Sequence, residues 1–182
     1  LPIDRCRGCG ASGLRMFLDL GRMPLVDSLA LPDSPPDALY PLRVTFCEHC
    51  GLAQLLESPP PALLFPAGYP YFSSGSSDYL APAAGLAREV AEARALGWDS
   101  LVIEIASNDG YLLRAFAAMG IRGLGTAPAP GPARAAIEAG VPTRIDFFDR
   151  ELAEELWAEG VRADLVVANN VLAHVPDPNG LL

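Results

Sequence analysis

Apolar positions follow two rhythms along this chain. Up to about residue 66 they come in short runs broken by Pro24, Pro32, Pro35, Pro36, Pro41, Pro59, Pro60, Pro61 and Pro66. Proline removes a backbone donor and blocks helix interiors, so this stretch predicts short strands and turns. From Asp78 onward, runs with helical spacing alternate with short, almost wholly apolar runs. A helix is expected over about 78–96, with Leu80, Leu86, Val90, Ala93 and Leu96 on its apolar side. LVIEIA (101–106) reads as a buried strand, SNDG (107–110) as a turn, and YLLRAFAAM (111–119) as a helix. A strand over 121–127, a helix over 131–139, a short strand over 142–145 and a helix over 149–159 follow. DLVVAN (164–169) reads as the last strand. Strands alternating with helices of this length predict βαβ units and a parallel sheet, an α/β fold. The apolar fourth strand is expected inside a sheet, because an apolar edge invites aggregation. These 182 residues are therefore expected to be part of a longer protein.

Composition adds limits. Apolar residues make up 51% of the chain, enough for a core, and mean hydropathy is +0.24. Glycine and proline, 17 + 18 = 35 of 182 residues, fall below the roughly 25–30% typical of low-complexity chains. The net charge is −9, the 13 basic residues are all arginine, and none cluster, which argues against nucleic acid as a partner. No run approaches the roughly 18–20 apolar residues that span a bilayer, so no membrane partner is expected. The opening LPIDRCRGCG lacks the apolar core of a secretory signal. With cysteines in metal-like spacing, a cytoplasmic location is expected.

All four cysteines fall in two C-x2-C pairs, CRGC (Cys6, Cys9) and CEHC (Cys47, Cys50). Each pair can place two thiolates on one tetrahedral zinc, and two pairs close the site. Glycine follows each pair, at Gly10 and Gly51, where a tight turn needs it. Two disulfides would be strained at this spacing, and a redox C-x2-C would need a βαβ context that is missing here. His49 lies between two better ligands. Four thiolates leave no open coordination position, so the zinc is expected to be structural and to hold together a small zinc-binding domain over 1–66.

The second constellation is EIASNDGYLL (104–113). A buried strand ends in a small-residue turn that opens a helix, so backbone N–H groups face any ligand there. The strict G-x-G-x-x-G of dinucleotide binders is absent, which disfavours an NAD-dependent enzyme. Taken in order, CRGCG (6–10), CEHCGLAQ (47–54), YPYFSSGS (69–76), EIASNDGYLL, DFF (146–148) and NNVLAHVPD (169–177) form a series. The series resembles that of the zinc-containing, S-adenosylmethionine-dependent sugar C-methyltransferases, which act on nucleotide-linked 4-keto deoxysugars in antibiotic pathways.

The resemblance implies a Rossmann-like class I methyltransferase fold, incomplete in this chain, over 78–182. Before it would come a substrate-facing linker over 67–77. It implies a cofactor site for S-adenosylmethionine with Glu104, Ala106, Ser107, Asn108, Asp109 and Gly110 around the methionine part. Ala127 and Pro128 would follow the second strand, Asp146 and Phe147 would lie near the adenine, and Asn169, Asn170 and His174 would close the pocket. Tyr71, Ser73, Ser74 and Ser76 would face a nucleotide-sugar substrate, with Tyr71 as the catalytic participant. The family's other catalytic groups, a histidine and a tyrosine, would lie beyond residue 182, so residues 1–182 alone are expected to be inactive. As residues alone, Asp109 also suits a helix cap. Phe147 and Phe148 suit a core, the serines a flexible linker, and His174 a satisfied loop histidine. The chain departs from the family pattern at Ala106, where a glycine is usual, and at Ala127, where a carboxylate normally takes the ribose hydroxyls. The family's histidine after the serine cluster is also missing. These departures favour an alternative: a non-catalytic, methyltransferase-like scaffold with a zinc module.

Overall fold

The computed structural model describes residues 2–27 and 31–182. The chain divides into two compact units, Leu1–Leu64 with Val175–Gly180 and Leu182, and Phe65–His174 with Leu181. Among the described residues no helix is long and apolar enough to cross a membrane.

The first unit is built on an antiparallel sheet of order β1-β2-β3, from β1 (Leu14–Met23), β2 (Tyr40–Cys47) and β3 (Ala53–Leu55). β1 and β2 run longer than the proline content predicts, because every expected breaker but Pro41, near the start of β2, falls between or after the strands. Bulges between Met16 and Leu18 and between Asp19 and Arg22 break the β1–β2 register. They bend an edge strand whose apolar side chains, Phe17 at 61% among them, are exposed. A short helix α1 (Pro61–Leu64) closes the first segment. Asn179, in the C-terminal α6 (Pro178–Leu181), donates to the carbonyls of Arg7 and Gly8.

The second unit is a parallel sheet of order β6-β5-β4-β7, made of β4 (Leu101–Ile105), β5 (Arg122–Thr126), β6 (Thr143–Arg144) and β7 (Leu165–Val167). The strands alternate with α3 (Tyr111–Ala117), α4 (Pro130–Glu138) and α5 (Arg150–Ala158), and α2 (Ser77–Ala93) precedes them. Period-two side-chain alternation splits β4 between two cores. Val102 joins Ala87, Leu112, Leu113, Phe116 and Ala136 on one face, and Ile103 joins Leu152 and Leu156 of α5 on the other. Helices thus cover both faces, and the strand order reverses beside β4. Sheets of this kind take ligands at the carboxyl ends of the strands flanking such a reversal.

One expectation needs correction. Helix α2 buries the alanine stripe Ala83, Ala87 and Ala91, while Leu80 and Leu86 stay 40% and 39% exposed. Small side chains let the helix approach α3 closely, which the larger leucines would prevent. The fourth strand, β7, stands at one edge of the described sheet with Val166 52% exposed, and its expected place inside a sheet is one in a longer protein.

Candidate functional site

In the first unit two knuckles of the same geometry meet. The carbonyls of Cys6 and Cys47 accept from the N–H groups of Gly10 and Gly51, both at 2.9 Å. The Cys6 and Cys47 N–H groups donate to the carbonyls of Ala11 (2.9 Å) and Leu52 (3.0 Å). Closing the loop this way demands a left-handed residue at the fourth position, and Gly10 and Gly51 have φ of +72° and +79°. The four Sγ atoms lie within 4.8 Å of one another. Cys6 and Cys50 are 3.7 Å apart, as are Cys9 and Cys47. Thiolates about 2.3 Å from a tetrahedral zinc sit roughly 3.8 Å from each other. The four free thiols therefore fit one structural zinc.

A residue that the cysteine spacing does not announce supports this centre. Gln54 Nε2 donates to Cys6 Sγ at 3.2 Å, and its Oε1 accepts from the Arg7 N–H at 3.0 Å. Thr45 Oγ1 donates to the Gln54 carbonyl across the β2–β3 pair. Burial pushes the Cys6 thiol up, but hydrogen bonds from the Cys9 backbone, the Gln54 amide and the Gly8 backbone outweigh it and bring the thiol to about 6. His49 is exposed and lies outside the four-thiol group.

In the second unit, β4 ends in a turn with left-handed backbone at Ala106 (φ 55°), Asn108 (φ 52°) and Gly110 (φ 76°). The Ser107 N–H donates to the Thr126 carbonyl, which holds the turn against the end of β5. Gly125 makes room for it: a Cβ there would collide with the Ser107 hydroxyl. Gly110 is equally constrained, since a Cβ would lie 3.0 Å from Val141. Gly110 is also the N-cap of α3, and no side chain caps that helix. Asp109 therefore does not play the capping role its position allows.

Among the described residues, four side-chain oxygens around this turn are buried without a hydrogen-bond partner: Glu104 Oε2, Ser107 Oγ, Asp109 Oδ1 and Thr126 Oγ1. Burial, and after it the charge of Asp109, raise the Glu104 carboxyl to about 8, against a weaker opposing hydrogen bond from the Leu113 backbone. Tyr111, at the start of α3, is raised by burial and by Glu104, and its hydroxyl accepts from Asn169 Nδ2 at 2.8 Å. Its ring packs edge-on to Tyr79, 6.4 Å between centroids. Thr126 and Tyr111 complete a cluster of which the sequence pattern marks only Glu104, Ser107, Asp109 and Asn169. Two open hollows of about 380 and 450 Å3 lie elsewhere, along α2 beside Met119 and against Phe17 on β1.

The Tyr71–Ser76 segment lies on the turn. Asn108 Oδ1 accepts from the Ser73 N–H (2.8 Å), and Asn108 Nδ2 donates to the Tyr71 carbonyl (3.1 Å). Asp109 Oδ2 accepts from the Ser74 N–H (3.0 Å) and the Ser74 hydroxyl (2.6 Å). Tyr71 and Ser76 are exposed. Ala127 is buried to 1% exposure and Pro128 half-buried. Asp146 accepts from the adjacent Phe147 N–H, and the Phe147 ring meets Phe65 edge-on, while Phe148 packs against the α5 core. Asn170 has φ 57°, and His174 ends a short 3-10 turn (Leu172–His174), exposed.

Comparison with known proteins covers the first of these regions. Residues 6–65 match a methyltransferase family model (Methyltransf_13) whose description names a zinc-binding domain. This part of the chain is a methyltransferase-associated zinc-binding domain, and its four clustered cysteines fit structural zinc binding. No curated protein matches the chain.

Proposed function

We propose that the second unit is a Rossmann-like class I methyltransferase domain that binds S-adenosylmethionine. In this reading the protein methylates a carbon of a nucleotide-linked 4-keto deoxysugar. One observation carries the cofactor reading: four orphaned, buried oxygens at the ends of β4 and β5, two of them carboxylate oxygens. An unpaired buried polar group costs about 1–3 kcal/mol, so such a cluster favours a ligand that brings hydrogen-bond donors and positive charge. The methionine end of S-adenosylmethionine carries both, in its ammonium and its sulfonium. The reversal of strand order beside β4 supports the same placement. The ribose end fits less well, because Ala127 stands where a carboxylate would accept the sugar hydroxyls.

When bound, S-adenosylmethionine supplies an electrophilic methyl group. Glu104 and Asp109 hold the cationic end, with Ser107 and Thr126 as further acceptors. Tyr71, exposed on the segment above the turn, is the phenol available to a sugar substrate. Ser76 is the serine of that segment left exposed, since the Ser74 hydroxyl is engaged by Asp109.

Titration calorimetry with S-adenosylmethionine tests this. Micromolar binding is expected, and no heat at millimolar ligand would overturn it. A second reading, a scaffold that binds no cofactor, is favoured by Ala127. Losing a charged acceptor costs roughly 1.5–3 kcal/mol, or about ten- to a hundredfold in affinity. Silence in the same titration would support the scaffold.

A further inference from the structure

We propose that Asn108 and Asp109 form a latch by which an occupied cofactor turn orders the Tyr71–Ser76 segment, making them positioning residues for the sugar-facing side chains. The inference rests on the cofactor reading above and deepens it.

Asn108 acts on that segment as a neighbouring strand would. Residues 71 and 73 of an extended chain present a carbonyl and an N–H on the same side. Phe72 between them is extended (φ −122°, ψ 119°), and a single carboxamide meets both groups. Asparagine is suited twice over. It tolerates the left-handed conformation found at this position, and its side chain both donates and accepts.

Asp109 connects the segment to the proposed cofactor site. Its Oδ2 takes both hydrogen bonds from Ser74, while its Oδ1 is buried and unpartnered, as are Glu104 Oε2, Ser107 Oγ and Thr126 Oγ1. A cation facing Oδ1 fixes the same carboxylate that grips Ser74 through Oδ2, and hydrogen bonds to a fixed, ionised acceptor are the strong ones. Ligand binding at one oxygen is thereby felt at the other, one carboxylate's width away. With the turn empty, the segment is held by a carboxylate that has no such partner. The coupling is reciprocal by linkage: loosening the segment must weaken the ligand.

Residue-resolved amide exchange, read by NMR with and without saturating S-adenosylmethionine, tests the latch together with calorimetry. The ligand is expected to slow exchange at the Ser73 and Ser74 amides at least tenfold. Ser74→Ala should weaken ligand binding about tenfold and diminish that slowing, and Ser74→Thr, which keeps the hydroxyl, should restore both. Asn108→Ala should speed exchange at Ser73 without ligand. Unchanged protection at Val102 and Leu112 would show that each variant folds. Ligand binding with no change at Ser73 and Ser74, or a Ser74→Ala variant that binds like the parent, overturns the latch and leaves the cofactor site standing. A parent protein that gives no binding heat overturns the cofactor reading, and the coupling falls with it.

Discussion

Cys6, Gln54 and Ala106 show how much single residues settle here. Gln54 steers the Cys6 sulfur through its amide N–H and is itself held by the Arg7 N–H. Partners that orient a metal ligand typically change metal affinity by 10–100-fold. Gln54→Leu should therefore weaken zinc binding by that order, measured by competition with a chromophoric chelator. Ala106 sits at φ 55°, a conformation that costs an L-residue roughly 1–2 kcal/mol. Glycine adopts it freely but loses about 0.5–1 kcal/mol more in chain entropy. Ala106→Gly should raise stability by roughly 0.5–1 kcal/mol in urea unfolding, and a loss of stability would refute the strain. That Ala106 departs from the glycine of the resembled family is visible in the letters. That its backbone is left-handed is not.

Strand β4 and the turn after it set the behaviour of the second unit with pH. Glu104 on β4 is raised from 4.5 to about 8 by burial first and by Asp109 second. A carboxyl with a raised folded-state value binds its proton more tightly in the native state. Its stabilisation is therefore complete below about pH 4.5 and is lost as pH rises toward 8 and beyond. At about 1.4 kcal/mol per unit the loss has an upper bound of about 5 kcal/mol. Urea unfolding between pH 5 and 9 should show stability falling across this window, and Glu104→Gln should flatten the fall. Periodicity located β4 and the helices around it to within a few residues, because one apolar face repeats locally. It misplaced the buried face of α2, because alanine and leucine both count as apolar and only the closeness of α3 decides which is wanted inside.

At the scale of the whole molecule, the four-thiol cluster and the parallel sheet belong to separate units. Among its described residues the small first unit has three strands and few buried apolar side chains, so its fold is expected to depend on zinc. Stripping the metal with a strong chelator should collapse amide dispersion across β1–β3 while leaving the amides of β4 and β5 unchanged in the same NMR spectrum. Persistence of the β1–β3 signals without metal would show that the sheet stands alone. The sequence by itself determined what depends on near neighbours: two C-x2-C knuckles with their glycines, the alternation of strand and helix, and a small-residue turn after an apolar strand. Only the tertiary structure decided what depends on distant parts of the chain. It set Gln54 behind Cys6, left four oxygens at the ends of β4 and β5 without partners, and joined Asn108 and Asp109 to the segment at Tyr71–Ser76. A local pattern states which residues are apolar or polar. Whether a buried polar atom finds a partner depends on which strand lies beside it and in what register, and no local pattern holds that.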